Sequence, residues 1–152
     1  RLNGQWGVVD VADCAAAAAA LVERGLASAE RIAIEGGSAG GFTALAALCF
    51  TDQFRAGASR YGVADLSALA VDTHRFEARY LDGLVGPWPA AAATYAARSP
   101  LQHADRALRI RSRHASEHTD AGDLKSEHCE HYAERFGLCR QHQSTYGLCP
   151  DR

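Results

Sequence analysis

No stretch of this sequence holds the roughly 18 consecutive apolar residues that a bilayer-spanning helix needs, so no membrane association is expected. Charge of one sign is also scarce. The 16 basic and 18 acidic residues leave a net charge of −2, which gives no footprint for nucleic acid or an anionic membrane surface. Lysine is nearly absent, with Lys125 the only one among the 16 basic residues, while alanine fills 31 positions. That is the bias of GC-rich coding sequence and carries no functional message. Methionine is missing altogether and the chain opens on Arg1, so the expectation is a piece of a longer product. No signal peptide is visible, and a cytoplasmic location is the expectation. The five cysteines include no CxxC pair, so neither a zinc ribbon nor a disulfide framework is indicated.

What is present suffices for one domain with its own core: 152 residues, 47% apolar and 22% charged. The character changes near residue 110. From Arg111 to Arg152 the only Leu, Ile, Val or Phe residues are Leu124, Phe136, Leu138 and Leu148. The same stretch holds five of the seven histidines and three of the five cysteines. The division read from this is a folded unit over 1–110 and a divergent, weakly structured tail over 111–152.

Residues 11–26, VADCAAAAAALVERGL, predict a helix, because alanine is the best helix former; Asp13 can serve its first turn and Gly25 its end. Arg31 to Glu35 is a short alternating strand. GGSAGG follows at 36–41, then the alanine-rich helix FTALAALCF, then a strand of small residues over 56–63. This alternation predicts a parallel α/β sheet. Asp65 to Leu84 is helical or irregular, and Gly86-Pro87-Trp88-Pro89 is a break. Ala90 to Arg98 reads as a helix, and Ser99-Pro100 opens another with Ser as N-cap and Pro at its first position. Leu108 to Ile110 can begin a strand, but nothing after Ile110 supplies the Val/Ile/Leu run of a buried parallel one. Cys14 and Cys49 fall on helices and read as buried thiols.

Gly36-Gly37-Ser38-Ala39-Gly40 fits G-x-S-x-G with a strand before it and a helix after it, the context of a nucleophile elbow. A sharp strand-to-helix turn lifts one side chain into the open, and the residues two before and two after must be tiny to avoid a clash. Gly36 and Gly40 stand there. Ser38 Oγ would then sit at a helix N-terminus, with the Ala39 amide as one donor of an oxyanion hole. The competing reading is a glycine turn that binds phosphate or only packs tightly. A P-loop is excluded, because no Lys-Ser/Thr pair follows. The dinucleotide fingerprint is matched only as Gly37-x-x-Gly40.

Around this motif, RLNGQWGVVDVADC, IAIEGGSAGGFTALAAL, FRAGASRYGVADLSAL and THRFEARYLDGLVGPWP, then RSPLQHAD, resemble the catalytic domain of prolyl oligopeptidase family serine peptidases. The dipeptidyl and acylaminoacyl peptidases are the branch they resemble most. The resemblance runs from Arg1 to about Ile110. It implies a partial α/β-hydrolase fold, a peptide substrate, no cofactor, Ser38 as the acyl-forming nucleophile and the Ala39 amide as half of the oxyanion hole. Tyr61 follows a strand whose end should open onto the site. It either lines the substrate pocket or packs in the fold.

A serine nucleophile needs a base, itself oriented by an acid, and in this fold the chain order is Ser, Asp, His. The family continues beyond the position of Arg106 into a hydrophobic strand ending in Gly-x-x-Asp, and later into a Gly-His loop. Neither occurs here. Asp120 and Asp123 have no such strand before them, and His128, His131 and His142 have no Gly-His context. A frameshift, an altered splice or a truncated reading is the expected account of the break. By the same resemblance, the first strands, the loop with the second oxyanion donor and an often-present β-propeller belong before Arg1. The expectation is therefore a fragment with an incomplete triad, whose oligomeric state the sequence leaves open.

Two alternatives stand beside the peptidase. An esterase on the same fold shares the elbow, which cannot tell amide from ester. A catalytically inactive chain could instead use its tail to bind metal or a partner. His114 and His118 have helical ligand spacing, with Cys129, His131, Cys139, His142 and Cys149 nearby. The spacing lacks the H-E-x-x-H core, so no metal site is expected.

Overall fold

The structure, a computed structural model, describes residues 1–72 and 79–107 with their side chains and the backbone of 138–142 and 145–148. Helix α1 runs from Val9 to Glu23, starting two residues earlier than the alanine tract alone indicates. That shift gives the first turn to Asp10, whose Oδ1 accepts the Gly7 N–H at 2.7 Å. The expectation for Asp13 is thereby corrected: it lies one turn further on and pairs in the open with Arg1 at 3.0 Å. At the other end Gly25 takes φ +69°, and the Gly25 and Leu26 N–H groups reach back to Val22 and Leu21. This double bond back into the last turn is the glycine C-terminal motif that satisfies the final carbonyls.

Strand β1 (Ala33–Gly37), helix α2 (Ala39–Phe50) and strand β2 (Ala56–Arg60) form one βαβ unit. The strands pair in parallel from Ala33↔Ala56 to Gly37↔Arg60. β1 runs on through the glycine pair because Ser59 and Arg60 hold Gly36 and Gly37 in register. β2 stops earlier than expected because Tyr61 turns into the left-handed region at φ +42°. Helix α2 packs on both strands and on α1. Its Phe42, Ala44, Ala46, Ala47, Leu48 and Cys49 are buried, and small alanines let the helix lie close to the sheet.

Five further segments complete the region up to residue 107. Asp65 Oδ1 accepts the Ser67 and Ala68 N–H groups and starts α3 (Leu66–Asp72). α4 (Tyr80–Leu84) precedes the Gly86–Pro89 break, and α5 (Ala92–Arg98) follows it. A 3-10 turn over Pro100–His103 then leads into α6 (Ala104–Ala107). Pro100 opens that turn as expected, but Ser99 does not cap it with its side chain. The fully buried Ser99 hydroxyl instead donates to the Tyr95 carbonyl at 2.7 Å and accepts the Leu66 N–H at 3.0 Å, tying α3 to α5. The segment from Leu108 to Ile110 lies outside the described residues.

The main core joins Trp6, Val11, Phe42, Leu48, Phe54, Leu66, Leu81 and Tyr95, with the Trp6 and Phe42 rings 4.5 Å apart. A second cluster, around Cys49, Ala64, Leu101 and Ala104, seats the 3-10 turn and α6 against α2. In the tail, β3 (Leu138–His142) and β4 (Thr145–Leu148) pair antiparallel across a register shift. No strand is legible there in the sequence. A short local ladder needs none of the continuous apolar run that a buried parallel strand requires. Among the described residues no helix is long and apolar enough to cross a membrane.

Candidate active site

The turn between β1 and α2 holds one residue in an unusual conformation. Ser38 has φ 53° and ψ −122°, a region that residues with a Cβ avoid, and such strain persists only where the surroundings over-determine it. Here they do. The Ser38 N–H donates to the Arg60 carbonyl at 3.0 Å, and the Ser38 carbonyl accepts the Phe42 N–H at 3.1 Å. The backbone is thus pinned to β2 on one side and to the first turn of α2 on the other, while the residue itself is exposed. Among the described residues, none hydrogen-bonds to the Ser38 hydroxyl.

Three glycines make the turn tight. A Cβ on Gly36 would lie 2.2 Å from the Gly40 carbonyl oxygen. Gly41 faces Gly62 Cα and Ser59 Oγ, 2.7 and 2.8 Å from where its Cβ would be. Gly40 differs from the expectation of a clash on both sides of the serine: a Cβ there meets nothing within 4 Å. Its backbone presses on Gly36, and the close approach of helix to strand falls one residue later, at Gly41. Ser59 adds a hydrogen bond to the Gly41 carbonyl at 3.2 Å.

The Ala39 N–H opens α2 and finds no acceptor among the described residues. No acidic side chain sits in that first turn, so the positive end of the helix is uncompensated there. Tyr61 stands over the turn. Its phenol lies 3.0 to 3.5 Å from the position of a Cβ on Gly37, the residue before Ser38, and it is 75% exposed. Beside it, Arg60 and Glu35 form an exposed ion pair at 3.2 Å.

No relay to Ser38 forms among the described residues. His103 Nε2 lies 3.1 Å from the Ala97 carbonyl, and its ring meets Phe50 edge-on at 5.0 Å. Asp120, Asp123, His128 and His131 lie outside the described residues, and His142 falls in β3, where the backbone alone is described. The tail residues His114, His118, Cys129, Cys139 and Cys149 offer no described side chain either. Among the described residues no group of three or more His, Cys, Asp or Glu side chains could hold a metal.

The two described thiols differ. Cys49 is buried as expected, its Sγ 3.8 Å from the Pro100 carbonyl. Burial, with Asp105 adding to it and Arg106 opposing, pushes its pKa up to about 12. Cys14 is only half-buried, correcting the expectation of a core thiol; partial burial and then Asp10 and Asp13 still raise its pKa. Neither thiol favours the thiolate a nucleophile requires. A cleft of about 350 Å³ between α1, the end of α2 and α5 is lined by residues such as Val8, Val11, Phe50 and Arg98, and Ser38 and Tyr61 are not part of it.

Sequence reasoning passes over Ser59 and Gly62, which pack against Gly41, and over Thr43, whose hydroxyl donates to Asp10 Oδ2. Gly41 was legible as the last letter of GGSAGG. Asp10 carries no local signal, since its contact with α2 spans 33 residues of chain.

Comparison with known proteins places this geometry. The prolyl oligopeptidase family profile matches residues 1–116. A Mycobacterium tuberculosis puromycin-hydrolyzing peptidase superimposes with a TM-score of 0.70 at 54% identity, covering 74% of this chain and 17% of that one. Porphyromonas gingivalis dipeptidyl peptidase 4 gives 0.61 at 30% identity, covering 72% and 15%. A Pyrococcus horikoshii acylaminoacyl peptidase gives 0.63 at 25%, covering 74% and 18%. The chain therefore spans about a sixth of the length of these structures. No curated protein matches it. The small parallel sheet with flanking helices is a part of an α/β-hydrolase fold, and the chain belongs to the prolyl oligopeptidase family.

Proposed function

We propose that this chain is the nucleophile-bearing portion of a serine peptidase, acting on peptides through an acyl-enzyme on Ser38. One observation carries the reading: an exposed serine held at φ 53° between a parallel strand and a helix whose first N–H has no described acceptor. Ser38 Oγ attacks the peptide carbonyl carbon, and the oxygen that becomes negative is met by the Ala39 N–H and the positive end of α2. The proton lost from the Ser38 hydroxyl leaves with the amine, and water then attacks the acyl ester, releasing the carboxylic acid and returning a proton to Ser38 Oγ. Tyr61, exposed and laid over Gly37, forms one wall of the substrate pocket. Residues 1–110 carry this chemistry and 111–152 stand apart from it.

Among the described residues no base or orienting acid stands by Ser38, so the described portion holds the nucleophile and one oxyanion donor of this scheme without a relay. A serine without its base is a weak nucleophile, so turnover by this portion is expected to be slow. The test is to offer aminoacyl and dipeptidyl anilides beside short-chain nitrophenyl esters, to the chain and to Ser38→Ala. Slow anilide cleavage that disappears in Ser38→Ala is expected. Cleavage of the esters alone would replace the peptidase with an esterase on the same elbow. A stoichiometric zinc ion retained through dialysis, with neither substrate turned over, would favour a non-catalytic tail function.

A further inference from the structure

We infer that Asp10 and Thr43 form a positioning pair for the nucleophile turn, an inference that rests on Ser38 and Ala39 having the roles proposed above. Thr43 stands one helical turn beyond Ala39, and its hydroxyl donates to Asp10 Oδ2 across 33 residues of chain. The same hydroxyl lies 3.3 Å from the Ala39 carbonyl, the first carbonyl of α2. A hydroxyl has one proton, and the charged carboxylate takes it with the stronger bond. Asp10 therefore anchors Thr43, and with it the start of α2, to the loop that precedes α1.

The carboxylate is itself fixed. Its Oδ1 accepts the Gly7 N–H at 2.7 Å, and the Gly4 and Trp6 carbonyls beside that loop accept from the Arg98 guanidinium at 3.0 to 3.2 Å. Gly7 has φ +82°, and a Cβ there would meet Phe42 of α2 at 2.9 Å. One rigid loop thus meets α2 twice, through Phe42 and through Thr43, within the turn that carries the Ala39 N–H. Neither Asp10 nor Thr43 touches substrate in this account; both act through the Ala39 peptide.

Thr43→Val keeps the shape and removes the hydroxyl, and Thr43→Ser keeps the hydroxyl. The direct reading is amide hydrogen exchange in the 152-residue chain, at the Phe42 N–H that bonds Ser38 and at the Tyr95 N–H that bonds Ala91 as a distant control. Thr43→Val is expected to speed exchange at Phe42 about tenfold and leave Tyr95 unchanged, and Thr43→Ser to restore protection. Phe42 protection within twofold of wild type in Thr43→Val, or equal acceleration at both amides, overturns the inference. In parallel, phosphonylation of Ser38 is expected to slow about tenfold in its maximal rate in Thr43→Val, with probe half-saturation unchanged. A chain that shows the exchange effect but no phosphonylation rejects the nucleophile reading and keeps the pair as an anchor of the turn.

Discussion

At the scale of single residues, the turn depends on which glycine faces what. Gly36→Ala puts a Cβ 2.2 Å from the Gly40 carbonyl oxygen, an overlap only backbone movement can relieve. It should destabilise the chain by about 3 kcal/mol in a urea titration. Gly40→Ala, two residues past the serine, meets open space in a helix and should stabilise by roughly 0.5–1 kcal/mol. Equal effects at the two sites would contradict the packing described for the turn. Cys49 gives a pH signature. Its folded pKa is raised from 9.0 to about 12, so the folded chain holds a proton that the unfolded chain releases first. The unfolded state binds fewer protons across that window, and stability falls as pH rises through it. Tyr95, also raised by burial and by Asp82, adds in the same direction. Thermal melts should be flat in this respect below about pH 9 and decline above it. The decline should be shallower in Cys49→Ala.

At the scale of elements, buried hydrogen bonds between helices hold the site's supports. Ser99→Ala removes the hydroxyl that joins the Leu66 N–H of α3 to the Tyr95 carbonyl of α5 and leaves that N–H buried without an acceptor. A loss of about 2 kcal/mol is expected from chemical denaturation. A change within about 0.5 kcal/mol would mean that the α3–α5 contact is carried by packing alone. These ties explain what was legible in the sequence. Propensity and punctuation located α1, α2 and the β1–α2 turn, because alanine tracts and glycine pairs act locally. The details set by distant partners were not legible. Asp10 rather than Asp13 serves α1 because Gly7 and Thr43 reach it, and Ser99 serves α3 and α5 because Leu66 folds back onto it. The β3–β4 ladder was not legible either, since a short antiparallel pair leaves little hydrophobic pattern.

At the scale of the whole molecule, the described residues up to 107 form a βαβ unit braced by α1 and by the α3 to α6 helices, and the chain spans about a sixth of the length of its relatives. The Ser38 turn and the Ala39 N–H, which finds no acceptor among the described residues, belong to that unit, and Tyr61 directly follows its second strand. The relay does not belong to its described residues. The proposal stands or falls on whether Ser38, set apart from the other serines by its strained turn, is the acyl-forming nucleophile. Its most direct test is exposure of the folded chain to a fluorophosphonate probe, followed by tryptic mapping, with Ser38→Ala as control. Slow phosphonylation confined to Ser38 within the Ile32–Arg55 peptide is expected, and none in the variant. Label spread evenly over the other serines, or an unlabelled Ser38 in a sample shown to be folded, would contradict it.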